Sequence, residues 1–217
     1  MWDWYPKAIC EATNSCGLVY DREGFGQSGN HVPPRDIDFL HQGATELEKL
    51  INSVVDPGRK LILYGHSEGG SIALIYAARN PDRISGIVTE AAHCFVEECT
   101  IKGIQEAKRP FEEGKLDGLE KYQGEKFREL FWAWYNIWVN PKFKDWNILK
   151  EIKKINCPAL FMHGLTDQYG STRQLEELQK HFGGDCETVE IESCGHLPFK
   201  EQTTFVQSKA TEFINGV

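Results

Sequence analysis

The sequence predicts an α/β fold, a mostly parallel sheet with helices on both faces. Three observations predict it. Short β-rich runs alternate with longer stretches that carry apolar residues at helical spacing. The short runs lack a polar face, as strands buried on both sides require. A Gly-x-Ser-x-Gly pattern also stands between one such run and one such stretch, in "LILYGHSEGGSIALIYAARNP", Leu61 to Pro81.

Taken in order, residues 3–14 have helical spacing and "GLVYD" (17–21) reads as a strand. Residues 37–55 follow as a helix, "KLILYG" (60–65) as a strand and 68–79 as the next helix. "RISGIVTE" (83–90) and "CPALFMHG" (157–164) continue the strands; after helix 171–182, "CETVEIE" (186–192) is the last of them, and 199–215 closes the chain as a helix. Strand and helix in alternation imply parallel pairing through crossovers. From about Val96 to Asn147 the alternation stops, leaving helical patterns alone. This insert includes "FRELFWAWYNIWVNPKF", which holds three of the six tryptophans. The expected organisation is therefore a core of residues 1–95 and 148–217 with 96–147 as a helical lid over the C-terminal edge of the sheet. About half of the insert's aromatics are needed as its own core. The rest are candidates for lining an apolar pocket. Internal repeats and low-complexity linkers are absent from the sequence.

A chain of 217 residues, 41% hydrophobic, can bury a sizeable core without disulfide or metal staples. Its net charge of −8, with no Lys/Arg cluster, argues against nucleic acid or an anionic membrane as partner. Seven scattered cysteines cannot all pair, and they show no metal-ligand spacing. A reduced, cytoplasmic setting is expected. The start "MWDWYPKAIC" lacks the basic and apolar regions of a signal peptide, and no apolar stretch approaches membrane-spanning length.

The Gly65–Gly69 pattern is short enough to arise by chance, so its context carries the argument. A sharp strand-to-helix turn strains the serine backbone, and side chains at the flanking glycines are expected to collide with it. The turn also leaves the Ser67 hydroxyl at the positive end of a helix, where developing negative charge is favoured. A serine needs a base to act as nucleophile. His196, in "CGHLPF" just past the last strand, is the candidate, although alone it also reads as a residue capping the final helix. Asp167, in "MHGLTDQYG", is the candidate to orient it; alone it reads as a turn residue or helix cap. Together the three run Ser, Asp, His, each at the C-terminal end of a separate strand, where open α/β sheets place their sites.

These residues resemble the α/β-hydrolase superfamily, in its branch of small serine hydrolases with a helical cap. The resemblance runs from about Trp2 to Ile214 through "YDREGFGQSG", "GHSEGGSIALIYAARNPDRISGIV", "CPALFMHGLTDQYG" and "CGHLPF". It implies Ser67 as nucleophile, His196 as general base and acid, and Asp167 as the orienting carboxylate. A second acid position of the family falls at Glu90, ranked below Asp167. Serine at the turn argues against the branches that use an aspartate nucleophile. The resemblance also implies an oxyanion hole of two backbone N–H groups, one from Glu68 and one from a His-Gly-type loop that follows strands near the family's N-terminus.

Those strands and that loop do not appear in the sequence, which begins at a helix. One of the strands belongs, in the family's order, between "GLVYD" and "KLILYG", leaving a vacant lane. Three explanations are open: a fragment starting at an internal methionine, which is favoured; strand exchange with a neighbouring subunit, giving a homodimer; or direct pairing of the two flanking strands. Loss of one oxyanion donor costs about 10²–10³ in rate, so weak activity is expected.

The function implied is hydrolysis of an ester or lactone through an acyl-enzyme, on a small and largely apolar substrate, with no cofactor or metal. His66, Phe131, Trp132, Trp134, Tyr135 and Trp138 are the candidate pocket residues. The alternative is a ligand-binding or interaction protein that keeps the fold without useful catalysis. Cys194, close to His196 in sequence, reads as structural, and the spacing of His93, Cys94 and Cys99 matches no common metal site.

Overall fold

A computed structural model describes residues 2–29 and 31–217. Four parallel strands form one sheet in the order β1 (Leu61–His66), β2 (Ile84–Glu90), β3 (Ala159–Gly164) and β4 (Cys186–Ile191). Between or beside them run α1 (Tyr5–Thr13), α2 (Phe39–Val54), α3 (Glu68–Arg79), α4 (Glu98–Glu112), α5 (Glu120–Gln123), α6 (Phe127–Trp138), α7 (Arg173–His181), α8 (Pro198–Glu201) and α9 (Thr203–Asn215).

Alternation along the strands sorts the core into two layers. Ile87 of β2 and Ala159 and Phe161 of β3 pack with α2, α3 and α7 on one face. Their neighbours Val88, Leu160 and Met162 pack with Tyr5 and Ile9 of α1, Phe199 of α8, and Val206 and Ala210 of α9 on the other. Successive side chains of a strand point to opposite faces, so a strand covered on both reads as an unbroken apolar run. α3 is buried along nearly its whole length, Ile72 to Ala78, which explains why so many of its residues are apolar.

The stretch 17–21 is not a strand. It runs as irregular chain with Leu18 and Val19 more than half exposed. The reason is the absence of a ladder: a strand needs a neighbour to pair its N–H and C=O groups, and no other strand lies beside this stretch among the described residues. The two flanking stretches do not close up either, because among the described residues β1 pairs only with β2.

The segment between β2 and β3 is helical and closes on itself. Phe95 and Asn147 form an antiparallel bridge at its base, flanked by Ile148 N–H to the Cys94 carbonyl at 2.8 Å and Val96 N–H to the Trp146 carbonyl at 3.2 Å. Phe111, Phe127 and Phe131 make a small core within it. All seven cysteines are free. No helix among the described residues is long and apolar enough to cross a membrane.

Candidate active site

Ser67 sits at the turn from β1 to α3 with φ +52° and ψ −125°, a conformation that a non-glycine residue adopts only under strain. The turn is held by Ser67 N–H to the Glu90 carbonyl at 2.9 Å and by Gly70 N–H to the Ser67 carbonyl at 2.9 Å. The two glycines of the pattern are unequal. A Cβ on Gly65 would lie 2.6 Å from Gly70 N and collide with Gly69, whereas one on Gly69 meets nothing within 4 Å. The second close approach belongs to Gly70, whose Cβ would meet that of Ala92 at 2.6 Å. Gly65→Ala is therefore expected to cost about 3 kcal/mol. Gly69→Ala should stay within about 1 kcal/mol of the parent, on the stabilising side, since alanine favours a helical first turn. Urea melts of the two variants check this; equal losses would contradict it.

His196 lies in the loop from β4 to α8, and Asp167 in the loop after β3. Gly164 ends β3 where the Cys194 and Gly195 carbonyls press so close that any Cβ would strike them, which brings the His196 loop over the Asp167 loop. His196 Nε2 lies 3.0 Å from Ser67 Oγ, and His196 Nδ1 lies 2.8 Å from Asp167 Oδ2. A carboxylate accepts only, so Nδ1 carries the proton and Nε2 is free to accept from the serine hydroxyl. The Asp167 carboxyl is fully buried. Burial alone would raise its pKa, but the His196 hydrogen bond and charge, the Tyr169 N–H at 2.8 Å and His163 hold it below its usual value. The Glu68 N–H, next after the serine, makes no hydrogen bond among the described residues.

Glu90 lies elsewhere than the base. Its carboxyl accepts from Tyr64 Oη at 2.7 Å and from Phe199 N–H at 2.7 Å, so the acid position that meets the histidine is Asp167. The expected pocket residues are divided. His66 is buried: its Nε2 donates to the His196 carbonyl at 2.6 Å and its ring packs against Trp2, Phe199 and His196. Burial, then repulsion from His196, pushes its pKa down to about 3. Its ring thus meets the His196 loop from the side of the sheet. Phe131 stacks on Phe111 at 3.7 Å within the segment's own core, with Trp132 edge-on to it at 5.5 Å and Tyr135 near-parallel to it at 6.1 Å. Trp134 meets Tyr169 at 6.0 Å, and Tyr169 stands edge-on to His196 at 4.8 Å. Trp138 is buried, 5.2 Å from His93.

Several neighbours escape the sequence reading. The Glu68 carboxylate is buried and accepts from Arg22 at 2.6 Å, Arg35 at 3.0 Å and Trp138 Nε1 at 2.9 Å. Burial would raise its pKa, yet Arg35, then Arg22, hold it down at about 2. His93, lowered to about 4 by burial and then His196, donates to the Tyr169 carbonyl at 2.9 Å. The Cys194 thiol is raised to about 12, first by burial, then by Glu201, and is not poised as a nucleophile. No group of His, Cys, Asp and Glu fit for a metal ion occurs among the described residues.

Residues 10–114, which hold the turn but neither Asp167 nor His196, match the family model of the serine aminopeptidases, S33. The chain is 29% identical to the human serine hydrolase BPHL over 180 residues, covering 77% of this chain and 58% of that protein. It is 22% identical to a proline iminopeptidase of Saccharolobus solfataricus, covering 92% and 76%. Among solved structures, a serine hydrolase from the polyaromatic hydrocarbon-degrading bacterium Cycloclasticus zankles superposes with a TM-score of 0.79 at 18% identity, over 99% of this chain and 84% of that one. A thermophilic esterase from Thermogutta terrifontis gives 0.67 at 21%, over 98% and 85%. With its parallel sheet, its strained serine turn and these likenesses, the chain has the α/β-hydrolase fold.

Proposed function

We propose that the chain is a serine hydrolase of the ester or lactone class, with Ser67 as nucleophile, His196 as general base and acid, and Asp167 orienting His196. The observation that carries this reading is the unbroken run of hydrogen bonds from Ser67 Oγ through His196 to Asp167, on a serine at φ +52°. As Ser67 Oγ attacks the acyl carbonyl, its proton passes to His196 Nε2, and Asp167 stabilises the imidazolium that forms. His196 then returns the proton to the leaving alkoxide. The acyl-enzyme is released by a water that His196 deprotonates, and the same proton regenerates Ser67. The unpaired Glu68 N–H, at the start of α3, is positioned to hold the oxyanion.

Segment 96–147 acts as a lid in this reading, pinned at its base beside Cys94. Trp134 and Tyr169, leading to His196, form an aromatic wall suited to a small apolar acyl group. Relatives that are serine hydrolases and an iminopeptidase support acyl transfer to water in general. A fluorophosphonate probe is expected to label the parent chain at Ser67 and to leave Ser67→Ala unlabelled. Turnover of p-nitrophenyl acetate should exceed that of prolyl p-nitroanilide. A folded parent that takes no label favours the non-catalytic, ligand-binding alternative; faster anilide turnover moves the substrate class to peptides.

A further inference from the structure

Glu90 ends β2 with its side chain fully buried, and the proposed chemistry does not use it. Its partners are the Tyr64 hydroxyl, itself bonded to the Tyr5 hydroxyl at 2.9 Å, and the Phe199 N–H. No cation among the described residues compensates the carboxyl, and burial raises its pKa to about 7 against the pull of both hydrogen bonds. A buried acid without a counter-charge costs stability, so its contacts are the place to look for what it does.

Those contacts converge on the two reacting side chains. The Glu90 backbone carbonyl takes the Ser67 N–H at 2.9 Å. Its carboxyl takes the Phe199 N–H at 2.7 Å, three residues from His196. Within the loop, the Gly195 and Leu197 N–H groups both go to Glu201 of α8, at 2.7 and 2.9 Å. Glu201 moves with the loop and stiffens it without fixing where it stands. Glu90 and His66, by contrast, tie the loop to the sheet, and they face one another across β1 and β2. Glu90 also takes the nucleophile's N–H in a hydrogen bond, whereas His66 is joined to Ser67 through the chain.

We propose that Glu90 is a positioning residue that sets the separation of Ser67 from His196 by bonding the elbow through its carbonyl and the base loop through its carboxyl. This rests on the catalytic reading above. A displacement of about 1 Å in such a pair costs about 10²-fold in rate.

The full-length chain with Glu90→Met or Glu90→Gln tests it. Methionine fills the volume but accepts nothing from Phe199, whereas the glutamine carbonyl still accepts that N–H. For Glu90→Met, kcat on p-nitrophenyl acetate should fall about 10²-fold with KM little changed. Its melting temperature should shift by only a few degrees, because removing an uncompensated buried acid offsets the Phe199 N–H left unpaired. Amide exchange over 193–200 should rise. Glu90→Gln should restore kcat and protection to near the parent. Parent-like kcat and protection in Glu90→Met overturns the proposal, and so does a parallel loss of stability and rate in both variants. Should the parent itself neither label nor turn over, the catalytic reading fails. The exchange comparison then decides the tie alone: protection lost with Met and kept with Gln upholds it, and unchanged protection overturns it.

Discussion

Asp167→Asn is expected to lower ester turnover by about 10⁴-fold while leaving the fold intact. The geometry gives the reason. Asp167 Oδ1 accepts the Tyr169 N–H at 2.8 Å, so an asparagine keeps its carbonyl oxygen on that side. Its NH₂ then faces His196 Nδ1 in place of the carboxylate oxygen, now 2.8 Å away. A donor opposite Nδ1 favours the tautomer with the proton on Nε2, and that nitrogen can no longer accept from Ser67. Ser67→Ala should lose more, about 10⁶-fold, and combining it with Asp167→Asn should cost little beyond that, because the residues act as a unit. Pre-steady-state labelling by a fluorophosphonate, with kcat and KM on p-nitrophenyl acetate, measures both effects. An Asp167→Asn protein that labels at more than a tenth of the parent rate would remove Asp167 from the role of orienting acid.

The parts of this arrangement that were legible in the sequence are those with local signatures. β1 to β3 were readable because strands covered on both faces are mostly apolar, and β4, at the sheet edge with Glu187 and Glu190 exposed, was readable from the alternation of strand and helix. The convergence of Ser67, Asp167 and His196 was readable because parallel strands deliver their C-terminal ends to one edge. "GLVYD" carries the same local signal and still forms no strand, since pairing depends on a neighbour and not on composition. The Glu68 cluster was not legible for a related reason. Arg22, Arg35 and Trp138 stand 46, 33 and 70 residues from their partner, and no periodicity marks such a meeting. The contacts of His66 with Trp2 and Phe199 were not legible either, because only the folded chain brings those residues to it.

Glu68→Gln is expected to have the largest effect on stability, about 3–5 kcal/mol, because it leaves buried Arg35 beside half-buried Arg22 without a counter-charge. For a chain of 217 residues a loss of 3 kcal/mol lowers the melting temperature by about 6–12 °C. The pH dependence follows from the sign of the shift. Glu68 has its folded pKa depressed to about 2 from an ordinary 4.5. Its contribution is therefore fully present above pH 4.5 and is lost as pH falls from there through about 2. The shift corresponds to about 3 kcal/mol. The parent should lose that stability over the acid range and Glu68→Gln should not, so their melting temperatures converge toward pH 2. Parallel curves from pH 7 to pH 3 would sink the assignment. The same carboxylate anchors Arg22, Arg35 and Trp138 of α6 to the residue whose N–H follows the nucleophile. Trp138 and the peptide beside the serine thus share one joint, and on the proposed reading loosening it should cost turnover as well as stability.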